Sequence, residues 1–316
     1  MNFPQIENLI FNLREVLLFY HMVHRTISEQ ILQAAKQMPV ISITGPRQSG
    51  KTTLCKSIFP NHLYMNLEDP EMRSFALEDP KGFLAQTDQE MVIDEAQYAP
   101  ILFSYIQTIV DEQKKNGAFV LSGSQNFLLM ENITQSLAGR VAIFHLLPLS
   151  LAELQRSAYS LTDPWEIIFR GGYPRLYDQQ VEENLFFPGY IQTYLERDLR
   201  QLQQVSSLQQ FQLFTRILAG RIGQLFNQSA IANETGLSHP TVKKWLSLLQ
   251  TSFIAFSLPP YFRNFNKQLI KSPKLYFYDT GLACYLLGIR SAQELANHYA
   301  KGALFENFVI VEMLKA

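Results

Sequence analysis

The sequence is poor in cysteine and in charge. Two cysteines, Cys55 and Cys284, stand among 316 residues, which excludes a disulfide framework or a cysteine metal cluster and suits a reducing cytoplasm. Charged residues make up only 17% and the formal net charge is −1. No global field therefore calls for a nucleic acid or a membrane surface, and any such partner must meet a local patch. No apolar run approaches the roughly 18 residues that span a bilayer, so no membrane partner is predicted. Internal repeats and low-complexity segments are missing too. The first residues lack the basic start, unbroken apolar stretch and small-residue cleavage site of a signal peptide. Leu9-Ile10-Phe11 and Val16-Leu17-Leu18-Phe19-Tyr20 are apolar, but Glu7, Arg14 and Glu15 interrupt them. Residues 1–24 read as an extension, either an amphipathic helix packed on the body or a partner, or a stretch preceding a natural start at Met22. What remains is 47% hydrophobic, ample for buried cores in a length that predicts about two domains.

One stretch carries clear chemistry. Gly45-Pro46-Arg47-Gln48-Ser49-Gly50-Lys51-Thr52 fits G-x-x-x-x-G-K-[ST]. Pro39-Val40-Ile41-Ser42-Ile43-Thr44 before it is a short, mostly β-branched run that reads as a buried strand, and Thr53 through Phe59 can open a helix. Between a strand and a helix, the glycines let backbone N–H groups turn inward around phosphates, and the helix N-terminus adds partial positive charge. Residues 45–53 are thus the expected nucleotide contacts, with Thr53 the last. Lys51 reaches the β- and γ-phosphates and the Thr52 hydroxyl ligates Mg²⁺. Arg47 shapes the loop or contacts a neighbouring element.

The residues around this loop predict a sheet. Ile27, Ile31, Leu32, Ala35 and Met38 mark a helix before it, and His62 through Leu67 a second strand. Glu90-Met91-Val92-Ile93-Asp94-Glu95 is an apolar run ending in two acids. After a phosphate loop this is the form of a Walker B strand, with Asp94 as the Mg²⁺ partner and Glu95 as the general base toward water. A helix over 101–115 leads to a fourth strand at 117–121, and Val141 through Leu146 makes a fifth. Ser124, at the tip of the fourth strand, either senses the γ-phosphate or caps the next helix. Strands alternating with helices call for a parallel sheet covered on both faces, an α/β fold.

A family resemblance becomes specific over residues 43–54 and at Val92-Ile93-Asp94-Glu95-Ala96-Gln97, Leu121-Ser122-Gly123-Ser124-Gln125 and Ser136-Leu137-Ala138-Gly139-Arg140. With Arg170-Gly171-Gly172-Tyr173-Pro174, Tyr194-Leu195-Glu196-Arg197-Asp198 and Tyr278-Asp279-Thr280-Gly281-Leu282, these resemble the AAA-type ATPases of bacteria and archaea that carry a C-terminal domain of unknown function. The likeness runs from about residue 25 to the end. It implies a P-loop NTPase sheet in AAA strand order, ATP with Mg²⁺ as ligands, and hydrolysis. It supplies no substrate. Such sites need a cation at the γ-phosphate, often from a neighbouring subunit of an oligomer. Arg140 is the first candidate, in cis or in trans, against the alternative of an ordinary ion pair. Arg170, Arg175, Arg197 and Arg200 lie beyond the core.

Past the ATPase segment at 25–150, residues 151–205 read as a helical connector with a Gly-Gly-Tyr-Pro break. Within 206–300, Ala232, Gly236, Val242 and Trp245 fit a helix-turn-helix, with Ser238 as cap and His239, Thr241, Lys243 and Lys244 projecting toward any bound DNA. The same element also serves as a packing module, and its basic face is thin. Phe253–Phe256 and Lys274–Tyr278 read as the strands of a wing. Residues 301–316 form a helix with Leu304, Phe305, Phe308, Val309 and Met313 on its apolar side, read as the start of a truncated domain. In related proteins a similar helix opens a nuclease-like domain; Glu306 alone makes no such metal site. Two functions stay open: Mg²⁺-dependent ATP hydrolysis, or a nucleotide-gated switch on DNA or protein that turns over little.

Overall fold

The computed structural model describes residues 23–87, 89–124, 126–159, 161–195, 208–261 and 272–316. The readings made for residues 1–22, Gln125, Glu196, Arg197, Asp198 and Arg200 lie outside the described residues. Helix α1 (Ser28–Ala35) leads into β1 (Val40–Thr44), and the phosphate-loop motif joins β1 to α2 (Lys51–Ile58). Then follow β2 (Leu63–Asn66), α3 (Pro70–Glu78), α4 (Pro80–Leu84), β3 (Met91–Asp94), a single 3-10 turn (Ala96–Tyr98), α5 (Ile101–Gln113), β4 (Phe119–Gly123), α6 (Asn126–Ser136) and β5 (Val141–His145). Asp69 and Asp79, each followed by proline, cap α3 and α4 with their carboxylates.

All four strand pairings are parallel, in the order β2-β3-β4-β1-β5. This is the expected α/β sheet of a P-loop NTPase. The three central strands are buried along their whole length because helices cover both faces. Alternation then sorts the core. Ile41 and Ile43 of β1 pack with Ile31 and Leu54, while Val40 faces Phe103 and Leu129 on the other side. Among the described residues no helix is long and apolar enough to cross a membrane.

The part beyond residue 150 is mostly helical. It comprises α7 (Leu151–Gln155), α8 (Pro164–Arg170), α9 (Arg175–Asp178), α10 (Glu183–Tyr190) with a π-helical turn at Ile191–Leu195, α11 (Leu208–Ala219), α12 (Gln228–Thr235), α13 (His239–Thr251), β6 (Ala255–Leu258), β7 (Lys274–Phe277), α14 (Thr280–Leu286), α15 (Ala292–Asn297) and α16 (Lys301–Lys315). Asn227 caps α12, Gly236 ends it at φ 69°, and Ser238 caps α13. Strands β6 and β7 pair antiparallel, and Leu225 bridges to Lys274. The edges of Phe211 and Phe214 meet the Trp245 ring at 5.2 and 5.5 Å between centroids, locking α11 to α13.

The sequence divides this region into connector, helix-turn-helix and terminal helix. In space the buried side chains from Leu149 to Val311 form a single cluster. Asp279 shows how the parts join: one carboxylate oxygen accepts from Gly172 N at 2.7 Å and the other from Leu282 N at 2.8 Å, where it caps α14. Helix α16 divides the expected apolar side, with Leu304 and Phe308 on the core. Leu304, Asn307 and Val311 face inward, whereas Phe305, Val309 and Met313 are exposed. A polar residue sets this orientation, because the Asn307 amide bonds both Phe277 N and Phe277 O, at 2.8 and 2.9 Å. Glu306 accepts from Lys274 Nζ at 2.8 Å and Tyr276 OH at 2.6 Å.

Candidate functional site

The register of the sheet gathers the motifs at the C-terminal ends of β1, β3 and β4. Thr44 lies beside Gly123, and Ile93 beside Leu121. The chain leaves β1 through Gly45, where a Cβ would come within 2.2 Å of the Leu146 carbonyl oxygen. Only glycine passes there. Lys51 Nζ folds back to donate to Gly45 O at 3.0 Å and Pro46 O at 2.8 Å. Burial lowers the pKa of this ammonium, while the charges of Glu95 and then Asp94 push it back up. The N–H groups of Gly50, Lys51, Thr52 and Thr53 open α2 and find no acceptor among the described residues. Four donors at a helix start form an anion cradle. Pro46, Gln48 and Ser49 complete the turn, Gln48 at φ 60°, and Arg47 pairs with Glu68 at 3.7 Å.

Asp94 is buried and saturated. Its Oδ2 accepts from Thr52 Oγ1 and from Tyr64 OH, both at 2.6 Å. Its Oδ1 accepts from Glu95 N at 3.0 Å and from the Ser122 hydroxyl. Burial and the hydrogen bond to Asp94 push the Tyr64 phenol far above its usual range, so it remains a donor. Glu95 sits at φ 54°, a left-handed conformation that a non-glycine residue adopts at a cost of about 1–3 kcal/mol. Its Oε2 accepts from Ser124 Oγ at 3.0 Å and from the Gln97 amide. Ser124 thus reaches the second acid rather than standing alone at the strand tip.

Sequence reading overlooked Tyr64, Ser122 and Gln97. For Ser122 a signal was present, since strand periodicity puts it on the same side as Ser124. Tyr64 arrives from a separate strand and has no local signature. Both cysteines are buried and free, and burial raises the Cys55 thiol to about 12, so it stays an inert thiol.

Arg140 is placed away from this edge. Its carbonyl accepts from Val40 N at the start of β1, so the length of a strand, roughly 15 Å, separates it from the loop. Its guanidinium grips Asp111 through Nε at 2.6 Å and Nη2 at 2.8 Å. The in-cis role considered for Arg140 is therefore corrected: it cannot reach the phosphate cradle of its own chain. Arg170 pairs with Glu183 at 2.6 Å, and Arg175 with Gln179 at 2.9 Å.

A cavity of 660 Å³ opens beside the cradle, between Leu32 of α1, Gly50 and Thr53 of the loop and α2, and Tyr159, Pro174 and Tyr177 of the helical body. Its size is that of a small-ligand site. His239, Lys243 and Lys244 lie exposed on one side of α13, opposite the buried Val242, Trp245 and Leu249. Thr241 is half-buried, and its hydroxyl shares a 2.8 Å hydrogen bond with Ser238.

Comparison with known proteins agrees with this geometry. Residues 37–155 match the AAA domain family, and residues 161–293 match a family described as a domain of unknown function. An uncharacterized protein of Mycobacterium tuberculosis is 32% identical over 293 residues, covering 92% of this chain and 65% of that protein. The chain thus spans just under two thirds of that relative. An uncharacterized protein of Haemophilus influenzae is 25% identical over 319 residues, covering 91% of this chain and 77% of its own. Among solved structures, a Walker-type ATPase of Pyrococcus abyssi shares the fold at a TM-score of 0.56 and 14% identity, over 84% of this chain and 96% of that one. The segment 37–155 is thus similar to AAA domains and shares the fold of a Walker-type ATPase.

Proposed function

We propose that this chain, AAA-type over residues 37–155, binds ATP with Mg²⁺, hydrolyses it, and passes the nucleotide state to the helical body beyond residue 150. The observation that carries the reading is the 2.6 Å hydrogen bond from Thr52 to Asp94, which brings the loop and the acidic strand end to one point. Both groups are hard oxygen donors of the kind Mg²⁺ prefers, and it ordinarily takes one or two protein oxygens, with phosphates and waters for the rest. Thr52 and Asp94 would hold Mg²⁺, which would supply positive charge against the phosphates. The open N–H groups of residues 50–53 hold the phosphates, and Lys51 turns from the loop carbonyls to the terminal ones. The base and ribose occupy the neighbouring cavity. Glu95 takes a proton from water as its oxygen attacks the γ-phosphorus and the bond to the ADP oxygen breaks. Ser124 and Gln97 fix the carboxylate for that transfer.

Multiple-turnover phosphate release tests this against the nucleotide-gated switch. Many phosphates per chain support the enzyme. ATP binding with less than one phosphate released per chain would leave only the switch. Arg140 enters through a second copy: Arg140→Ala is expected to slow turnover only at protein concentrations where the wild type self-associates, as followed by sedimentation. Equal turnover of mutant and wild type across that range would remove Arg140 from the mechanism.

A second reading, DNA binding by a winged helix, is favoured by the exposed basic side of α13 beside the β6–β7 ribbon. The sequence between those strands adds Arg263, Lys267 and Lys271 and no acid. Replacing both Lys243 and Lys244 by glutamine is expected to weaken duplex binding and flatten its salt slope by about one to two units, since fewer counterions are released. ATP turnover without DNA should not change. Titrating labelled duplex at several salt concentrations, with ATP and with ADP, checks this. Absence of salt-sensitive binding by the wild type in both states would make the helix-turn-helix a packing or protein-binding module.

A further inference from the structure

We propose that Arg25 is a positioning residue of the nucleotide site: from the wall of the cavity beside the cradle, it orients the phosphate loop and ties that loop to the helical body. The inference rests on the nucleotide-binding reading above. Arg25 precedes α1, belongs to no motif, and is only 9% exposed. Its guanidinium serves three separate parts of the chain. Nε donates to Glu153 Oε1 at 3.1 Å, Nη1 to the Ser49 carbonyl at 2.8 Å, and Nη2 to the Leu147 carbonyl at 2.6 Å. Glu153 is itself fully engaged. Its Oε1 also accepts from Thr26 N at 2.8 Å, and its Oε2 from Ser150 N at 2.9 Å within the reciprocal cap that opens α7. A guanidinium is always charged, so a buried one persists only where its planar fork is met on several sides.

Peptide planarity carries this anchorage into the site. In a trans peptide the C=O of one residue and the N–H of the next point in opposite directions. With the Ser49 carbonyl held outward on Arg25, the Gly50 N–H must point away from Arg25, into the loop. That N–H begins the row of open donors and has no acceptor among the described residues. Gly50 itself, at φ 92°, permits this orientation without enforcing it, because glycine explores either sign of φ at little cost. Arg25 supplies the enforcement. The turn it grips is held from the far side by α16, where Leu151 N donates to Glu312 Oε2 at 2.6 Å and Lys315 Nζ to Leu149 O at 2.9 Å. Arg25 thus joins the phosphate loop to α7 and the turn before it, and α16 holds that turn from its other side.

Calorimetric titration with ATP, beside thermal melts, tests the proposal on the full chain with Arg25→Lys, Arg25→Gln and Glu153→Gln. A lysine keeps the charge but carries its donors on one nitrogen, so it cannot span acceptors that Arg25 meets with three separate nitrogens. Arg25→Lys is therefore expected to melt close to the wild type yet bind ATP about tenfold more weakly, the weight of one charge-assisted hydrogen bond. Arg25→Gln should bind more weakly still, and Glu153→Gln should fall between wild type and Arg25→Lys. A merely structural role would move Tm and affinity together, and lysine would restore both. That outcome, or wild-type affinity in Arg25→Lys, overturns the proposal. Should Arg25→Gln fail to fold, Arg25→Lys alone decides. If the wild type binds no ATP, the nucleotide reading fails and takes this inference with it; binding by the wild type and equally by the variants sinks this inference alone.

Discussion

Lys51→Ala is expected to abolish nucleotide binding, and Glu95→Gln to preserve binding while lowering turnover by about 10²–10⁴-fold, the usual weight of a general base. The two changes separate because the residues act at different stages. Lys51 is a buried cation of the cradle, and without it the loop offers the phosphates backbone dipoles but no side-chain charge of its own at that point. Glu95 meets Ser124 and Gln97 through Oε2, and a glutamine keeps the shape and an acceptor oxygen while losing the ability to take a proton. Titration with ATP and a continuous phosphate assay, on proteins whose melts match the wild type, read the two effects. Wild-type turnover by Glu95→Gln would show that another group activates water. Tight ATP binding by Lys51→Ala would show that the loop is not the phosphate site.

Trp245→Ala is expected to destabilise the chain by about 3–5 kcal/mol, the range for deleting a large buried aromatic. Trp245 is almost fully buried between Phe211 and Phe214 and holds α11 against α13. The chain has two tryptophans, so the variant keeps Trp165 of α8 as its sole indole. Because α8 and the helix-turn-helix share one core, the Trp165 fluorescence transition in denaturant should move to lower concentration with the loss. A Trp165 midpoint left at the wild-type position would mean that the two parts unfold independently.

How far the sequence could be read depended on the range of the interaction. The phosphate loop was legible because its requirements are local: a β-branched strand, glycine where a Cβ would strike Leu146 O, a lysine one turn from the carbonyls it bonds, and a hydroxyl beside it. Asp94 and Glu95 were legible for the same reason, an apolar strand ending in acids at the edge where parallel strands release their chemistry. Ser238 and Gly236 marked the two ends of the turn between α12 and α13 through capping and left-handed backbone, again short-range effects. Helix α16 marks the limit of that kind of reading. Periodicity grouped Leu304, Phe305, Phe308, Val309 and Met313 on one apolar side, and the pairing of Asn307 with Phe277 split that side, Leu304 and Phe308 turning to the core and Phe305, Val309 and Met313 outward.

The sequence alone therefore determined most element types, the parallel sheet and the place of the loop between β1 and α2, since each follows from neighbours along the chain. Only the tertiary structure decided which distant groups complete the site. Tyr64 and Ser122 reach Asp94 from two other strands, Arg25 reaches Ser49 and Glu153 from before the first helix, and Arg140 falls at the wrong end of β5. It also merged connector, helix-turn-helix and last helix into one core. A side chain's partner across the fold depends on sheet order and register, which are set by summed burial over the whole domain, and no local pattern encodes that sum.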